Sequence, residues 1–326
     1  MGHRPLDALN AQLDLIRWYS TPQALEYLDI WQQSYRRRRE MQVSPQDLAT
    51  GLAGALNHSQ TYFVTDEMSA VITAAARSAP TDALHQYDLP APSGFIWFEQ
   101  AQATTYEDGQ APLYIRGVHW DQTVVTGRDG NSRPGISIAV YIDQARWLDT
   151  FDPPEMAEMV RAITHTVVLF ELTGWAFDAA WYERPLAPGE EQLDDQEHLA
   201  GACAPSISSF RRLLLSFFRI QSQRIAVTRS EPVNRALRRR ADRAGFDSPD
   251  PGSVLVVRLR RQYQPSSSDE EHHTVEWSHR WVVDGFWRNQ WYPSLGRHQQ
   301  IYIPSYIKGP TDKPLIVKDK IFSLER

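Results

Sequence analysis

The stretch from residue 274 to residue 326 holds the side chains in this chain with the most chemical use. Aromatic residues stand at 277, 281, 286, 287, 291, 292, 302 and 306. That is eight of the 30 residues from 277 to 306, against 11% in the whole chain, which marks a site and not only a core. Cations, amides and two histidines are interleaved with these rings. Rings stack on bases and cations neutralise phosphates, so the pattern fits nucleic acid, RNA in preference to DNA. Trp287, Trp291 and Tyr302 are the candidate stacking residues. Asn289, Gln290, Gln299 and Gln300 carry amides that can meet base edges.

The same stretch offers the groups for RNA cleavage without a metal. His279 and His298 can serve as base and acid, and Arg288 and Lys308 as the cations that stabilise a phosphorane. Helices followed by a small antiparallel sheet also look like the microbial-ribonuclease and toxin-ribonuclease fold, a fold-level analogy. Each residue has a plainer reading. His279 lies on an apolar stripe between Trp277 and Trp281 and can be a satisfied core histidine. Arg288 can be a structural cation–π partner, and Trp287 and Trp291 can pack the sheet. Both readings stay open at this point.

A second basic group precedes this stretch. Ser230-Glu231-Pro232 reads as a helix start, with Val233, Ala236, Leu237, Ala241 and Ala244 as its buried face. Arg235, Arg239 and Arg243 then fall at i, i+4 and i+8, about 6 Å apart along one ridge. Such a ladder suits a nucleic-acid backbone; a solvated basic face is the alternative. Val254 to Arg261 reads as a strand that adds Arg258 and Arg260. The run Arg36 to Arg39 reads as the basic end of a helix.

The elements that must position these groups follow from periodicity. Four helices fit the first 80 residues, the third opened by Ser44 as N-cap with Pro45 behind it. Period-two stretches follow at 95–100, 112–122 and 135–143. Pro153-Pro154 opens a further helix. Beyond it, Ile207, Phe210, Leu214, Phe217 and Phe218 form a helical stripe. In the C-terminal part, strands fit 254–261, 274–283, 299–307 and 315–324, an antiparallel sheet of about four. The expected class is α+β.

Charge divides the chain. Residues 1–200 carry 13 Arg and Lys against 28 Asp and Glu, a net of −15, and residues 201–326 carry 21 against 12, a net of +9. The expected organisation is an acidic α+β domain over 1–183, a linker over 184–205 and a basic α+β domain over 206–326. The acidic part would then restrain the basic part in cis or meet a protein partner. One cysteine, Cys203, excludes an internal disulfide and fits the cytoplasm. No apolar run is long enough to span a bilayer, no metal-ligand pattern stands out, and no phosphate-binding glycine loop occurs. Neither a cofactor nor a metal is expected.

The residues VEWSHRWVVDGFWRNQWYPSLGRHQQIYIPSYIKGPTDKPLIVKDKIFSLER closely resemble the C-terminal module of a family of actinobacterial and actinophage proteins. RIAVTRSEPVNRALRRRA and DLPAPSGFIWFE look similar as well. The resemblance covers much of the chain, most specifically its last 120 or so residues, and implies no activity. Where this chain has Phe286, relatives commonly show His. If that histidine is an acid or base in them, this chain lacks the step or assigns it elsewhere. Three functions are therefore expected in order: a metal-independent ribonuclease acting as a toxin or defence effector, a non-catalytic nucleic-acid-binding or regulatory protein, and a protein-interaction module.

Overall fold

The structure, a computed structural model, describes residues 4–36, 43–79, 83–104, 113–126, 131–150, 154–178, 204–260, 278–310 and 312–316. Seven strands, β1 (Gln60–Val64), β2 (Ser93–Thr104), β3 (Leu113–Thr126), β4 (Ser132–Asp143), β5 (Val167–Ala176), β6 (Ala226–Pro232) and β7 (Ser253–Leu259), form one mixed sheet. Their order is β5-β4-β3-β2-β1-β7-β6. β1 runs parallel to both of its neighbours, β2 and β7. The other pairings are antiparallel.

Both faces of the sheet are covered, and the central strands are apolar on both faces for that reason. Phe95 and Trp97 of β2 point to one side, Ile96 and Phe98 to the other, and all four are buried. Helices α1 (Pro5–Trp18), α2 (Pro22–Arg36) and α3 (Pro45–Asn57) lie on the first side. Their Leu9, Leu13, Leu28 and Leu52 share a core with Phe95, Trp97, Tyr141, Val254 and Val256. Helix α4 (Asp66–Arg77) lies on the second side. Two short helices, α5 (Gln144–Leu148) and α6 (Pro154–Ile163), connect β4 to β5. Helix α7 (Ala204–Gln221) packs beside α4. There Met68, Ile72, Leu214, Phe217 and Phe218 meet Tyr62, Ile96, Phe98, Trp120 and Val257. Helix α8 (Arg235–Arg243) returns to the first side, with Leu237 and Ala241 in the core that α1 builds. The architecture is α+β.

Local signals account for several ends. Ser44 caps α3 by accepting from Asp47 N at 3.0 Å, a contact worth about 1 kcal/mol. Pro45 fits the first helical turn, where no N–H is needed. Three strands of this sheet, β1, β5 and β6, escape the periodicity argument. β1 is only five residues long and buried throughout, so it lacks the alternation that announces a half-exposed strand. β6 runs through Pro232, and the following helix starts at Arg235 behind Asn234, not at Ser230. Proline is tolerated there because β6 is the edge strand.

The sheet corrects the expected domain division. β6 and β7, from the expected basic domain, complete the sheet that residues 60–176 begin. Val256 and Val257 of β7 pair with Phe63 and Val64 of β1. Residues 206–326 therefore do not form a separate α+β unit; cut away, they would leave β7 without its parallel neighbour. Of the expected linker, residues 184–203 lie outside the described residues, and Ala204 and Pro205 begin α7.

Nor do the last strands make one four-stranded sheet. β8 (Trp281–Val283) pairs with β11 (Tyr306–Lys308), and β9 (Phe286–Tyr292) pairs with β10 (Arg297–Ile303). β7 is in neither ladder. Leu315 makes a single bridge to Arg280. The remainder of the strand expected at 315–324, from residue 317, lies outside the described residues, as does the start of the one expected at 274–283.

Candidate nucleic-acid interface

Helix α8 sets out the first basic group. Asn234 caps it, its side-chain oxygen accepting from Leu237 N at 2.9 Å. Gly245, at φ +65, closes it in the left-handed conformation that glycine adopts without a Cβ penalty. Burial of Leu237 and Ala241 fixes the rotation of the helix. The 3.6-residue period then turns Arg235, Arg239 and Arg243 away from the core, and all three are exposed. No carboxylate among the described residues forms an ion pair with them. Arg240 lies on the flank and turns inward. It donates to Asn10 Oδ1 at 2.8 Å and to the Asp14 carboxylate on α1. Ala236 and Ala244, expected in the buried face, are exposed.

Strand alternation brings further cations to this side of the sheet. Val254 and Val256 face α8, so Arg258 does too. Arg258 is exposed and donates to the Glu231 carboxylate of β6. Arg229 is paired in register with Val256 and therefore shares that side. Arg260 follows β7, with its N–H donated to Ile225 O at 2.8 Å and its side chain exposed. Arg229 and Arg238, both exposed, extend the surface. Neither belongs to the expected basic group. The alternation of AVTRSEP carries the signal for Arg229, but Ser230-Glu231-Pro232 resembles a helix start. Residues 221–260 hold nine Arg against Glu231, Asp242, Asp247 and Asp250, so the region stays positive after its own carboxylates are counted.

The aromatic ladder stands on the opposite side of the sheet. Trp287 Nε1 donates to Ala75 O of α4 at 2.9 Å, and its ring lies 5.4 Å from that of Tyr302. Tyr302 is 5% exposed, and its N–H donates to Gln223 Oε1, just past the end of α7, at 3.0 Å. Burial, followed by the Asp284 carboxylate, pushes its phenol up. Gln300 Oε1 accepts from Arg219 Nη1 at 2.8 Å. Trp287, Tyr302 and Gln300 therefore dock the β9–β10 hairpin onto the body; they are not exposed stacking or base-reading groups. Trp291 remains open at 46% exposure, with its ring 5.0 Å from His298 across the ladder. Asn289 is exposed. Gln290 accepts from Arg288 at 2.8 Å and donates to Trp291 O at 3.1 Å.

The four candidate catalytic residues are not gathered on one surface. His298 pairs in register with Trp291, and Arg288 with Ile301. Residues 288 and 291 differ by three, so period two puts Arg288 and His298 on opposite faces of their ladder. His279 and Lys308 belong to the other ladder. The His279 ring lies 5.7 Å from that of Trp281, and Lys308 Nζ lies 6.0 Å from the Trp281 ring centroid. The described residues hold no His, Cys, Asp or Glu cluster of metal-binding size. No helix among them is long and apolar enough to cross a membrane.

A buried histidine–serine contact lies under α3. His119 Nε2 is 2.9 Å from Ser59 Oγ, which is 2.7 Å from Ser93 Oγ. Burial lowers the His119 imidazole to about 4, opposed by a hydrogen bond with the Ala55 backbone. Ser59 is fully buried and His119 is 2% exposed. No substrate reaches this pair, and its hydrogen bonds satisfy polar groups inside the core.

No protein-family model matches the chain, and no curated protein matches it. The crystal structure of AcrVA2 superposes with a TM-score of 0.42 at 12% sequence identity, covering 93% of this chain and 97% of that chain. A likeness of that degree carries no argument about function.

Proposed function

We propose that this chain binds nucleic acid through the sugar–phosphate backbone, using the α8 side of the sheet. The observation that carries this is the ridge of Arg235, Arg239 and Arg243, three exposed guanidiniums on successive turns without a carboxylate partner among the described residues. A ridge of that kind neutralises phosphates and releases counterions, which makes binding salt-dependent. Arg229, Arg238, Arg258 and Arg260 widen the same surface. The acidic half touches α8 through Asp14, which takes Arg240 and leaves the ridge open. RNA remains the favoured ligand. Fluorescence anisotropy of the full chain with labelled RNA and duplex DNA over a series of salt concentrations tests the reading. Affinity independent of salt would remove it.

A second reading, a protein-contact module, has its own support. Val282 and Ile307 are cross-strand partners on the β8–β11 ladder and are 45% and 54% exposed. Tyr306, Leu315 and Ile316 beside them are at least 40% exposed. Two three-residue strands bury little by themselves. Replacing Val282 and Ile307 with Lys would abolish a protein contact made there and leave nucleic-acid binding intact.

A further inference from the structure

A polar cluster where the hairpin meets the body is built unlike a packing contact. His85 Nδ1 lies 2.5 Å from Asp178 Oδ1. Asp178 has φ +55, the one described non-glycine residue with a positive φ. Aspartate is among the few non-glycine residues that take that conformation as a single residue. Asp178 N donates to Leu84 O at 2.9 Å. The His85 N–H donates to Asp88 Oδ2 at 3.0 Å. Asp88 in turn lies 3.5 Å from Arg219 Nη2, and both of those side chains are under 10% exposed. The imidazole is thus held by its own carboxylate, and the backbone beneath it by a buried ion pair. Nδ1 faces Asp178, so Nε2 is the nitrogen left for other work, and it has no partner among the described residues.

The neighbours of this imidazole suit an aromatic, anionic ligand. Tyr87 stacks on His85 with centroids 4.8 Å apart at 17° and is 51% exposed. The Arg297 guanidinium, from the first residue of β10, lies 3.5 Å from the centroid of the Tyr87 ring. His298 and Trp291 follow at the same end of the hairpin but, by strand alternation, on the opposite face from Arg297. The exposed Tyr87 ring therefore touches both a fixed imidazole and a cation from a separate part of the chain.

We propose that His85, oriented by Asp178, is a general base acting on the phosphodiester of single-stranded RNA, with Arg297 holding the phosphate. This rests on the nucleic-acid reading above for the class of ligand only, because His85 lies on the α4 side of the sheet and the arginine ridge on the α8 side. His85 Nε2 takes the proton of a ribose 2′-hydroxyl, and Asp178 stabilises the imidazolium that results. The 2′-oxygen forms a bond to phosphorus while the bond from phosphorus to the 5′-oxygen breaks. The leaving 5′-oxygen takes a proton from solvent water, and the imidazolium returns its proton to solvent. The products are a 2′,3′-cyclic phosphate and a 5′-hydroxyl, with no oxidation or reduction. This places acid–base chemistry away from His279, Arg288, His298 and Lys308.

The test incubates the full chain with a labelled single-stranded RNA and the matching DNA, in EDTA, and measures binding in parallel. The expected result is cleavage of RNA only, leaving cyclic phosphate ends. His85→Gln and Asp178→Asn should each lower the rate at least about 100-fold while binding is kept, the range typical of a lost general base. Asparagine keeps the left-handed backbone at 178, so it remains a valid variant if His85→Gln fails to fold. Arg297→Gln should raise the RNA concentration needed for half-maximal rate. RNA that is bound but left intact overturns this inference and leaves the backbone-binding reading standing. Cleavage unchanged in folded His85→Gln or Asp178→Asn overturns it as well. Absence of both binding and cleavage overturns both proposals.

Discussion

The indole N–H of Trp287 donates to the carbonyl oxygen of Ala75 at 2.9 Å, a bond between residues 212 positions apart in the chain. It fastens the β9–β10 hairpin to α4, with Tyr302 packed beside it. Trp287→Phe keeps most of the ring and removes the donor, leaving Ala75 O with one partner fewer. The expected cost is about 1–2 kcal/mol. Hydrogen exchange should show β9 and β10 opening first, with the seven-stranded sheet unchanged. Equal protection of the hairpin in the variant and the parent would contradict this.

Gly285 tests the same docking from the other side. A Cβ there would lie 2.1 Å from Tyr302 Oη and 2.7 Å from its Cζ. The ring of a 5% exposed tyrosine would have to move. Gly285→Ala should therefore cost about 1–3 kcal/mol in urea unfolding, as overpacked sites do. A change below about 0.5 kcal/mol would mean that Tyr302 is not held as described.

Arg240 and the outward ridge should separate stability from binding. Arg240→Gln breaks the contact with Asp14, a pair that is partly exposed, so the loss should be no more than about 1 kcal/mol. Arg235→Gln, Arg239→Gln and Arg243→Gln combined should leave unfolding within about 0.5 kcal/mol, because these side chains touch no core. Thermal melts of the two variants compare them directly. A larger loss of stability in the triple variant than in Arg240→Gln would assign the ridge to folding.

His119 gives the fold a pH limit. The unfolded imidazole titrates near 6.5 and the folded one near 4, lowered by burial. Between those values the unfolded chain binds a proton that the folded chain excludes, so stability falls as pH falls. The shift of roughly two to three units corresponds to about 3 kcal/mol, lost progressively below pH 6.5 and complete near pH 4. Urea midpoints from pH 4 to pH 8 measure it. His119→Gln should remove this part of the slope; a slope identical to the parent would refute the assignment.

The helices are readable from their apolar stripes, and β2, β3 and β4 from the proline- and glycine-rich breaks around them, whereas the long strand β5 is not. Ser44-Pro45 announces α3, and the period of Leu237 and Ala241 correctly predicts that Arg235, Arg239 and Arg243 face outward. β1 is hidden because a strand buried on both faces has no alternation to read. Missing β1 concealed the partner of β7, and with it the single sheet that joins the two charge halves. The rings of the last stretch were also ambiguous in kind. Trp287 and Tyr302 pack inward and Trp291 does not, and composition is the same for both fates. His85 and Asp178 are 93 positions apart, so no local pattern could pair them.

The most direct measurement is the salt dependence of RNA and duplex-DNA binding by the full chain and by the Arg235/Arg239/Arg243 triple Gln variant. Anisotropy at salt concentrations from about 50 to 200 mM covers the range in which counterion release dominates. The parent should lose affinity linearly in log–log form. The triple variant should bind more weakly, with a slope flattened by up to about 2.7 on duplex or about 2.1 on single strands if all three arginines meet phosphate. A parent without affinity for either nucleic acid, or a triple variant with the parental slope, would contradict the assignment of α8 as the phosphate-binding surface.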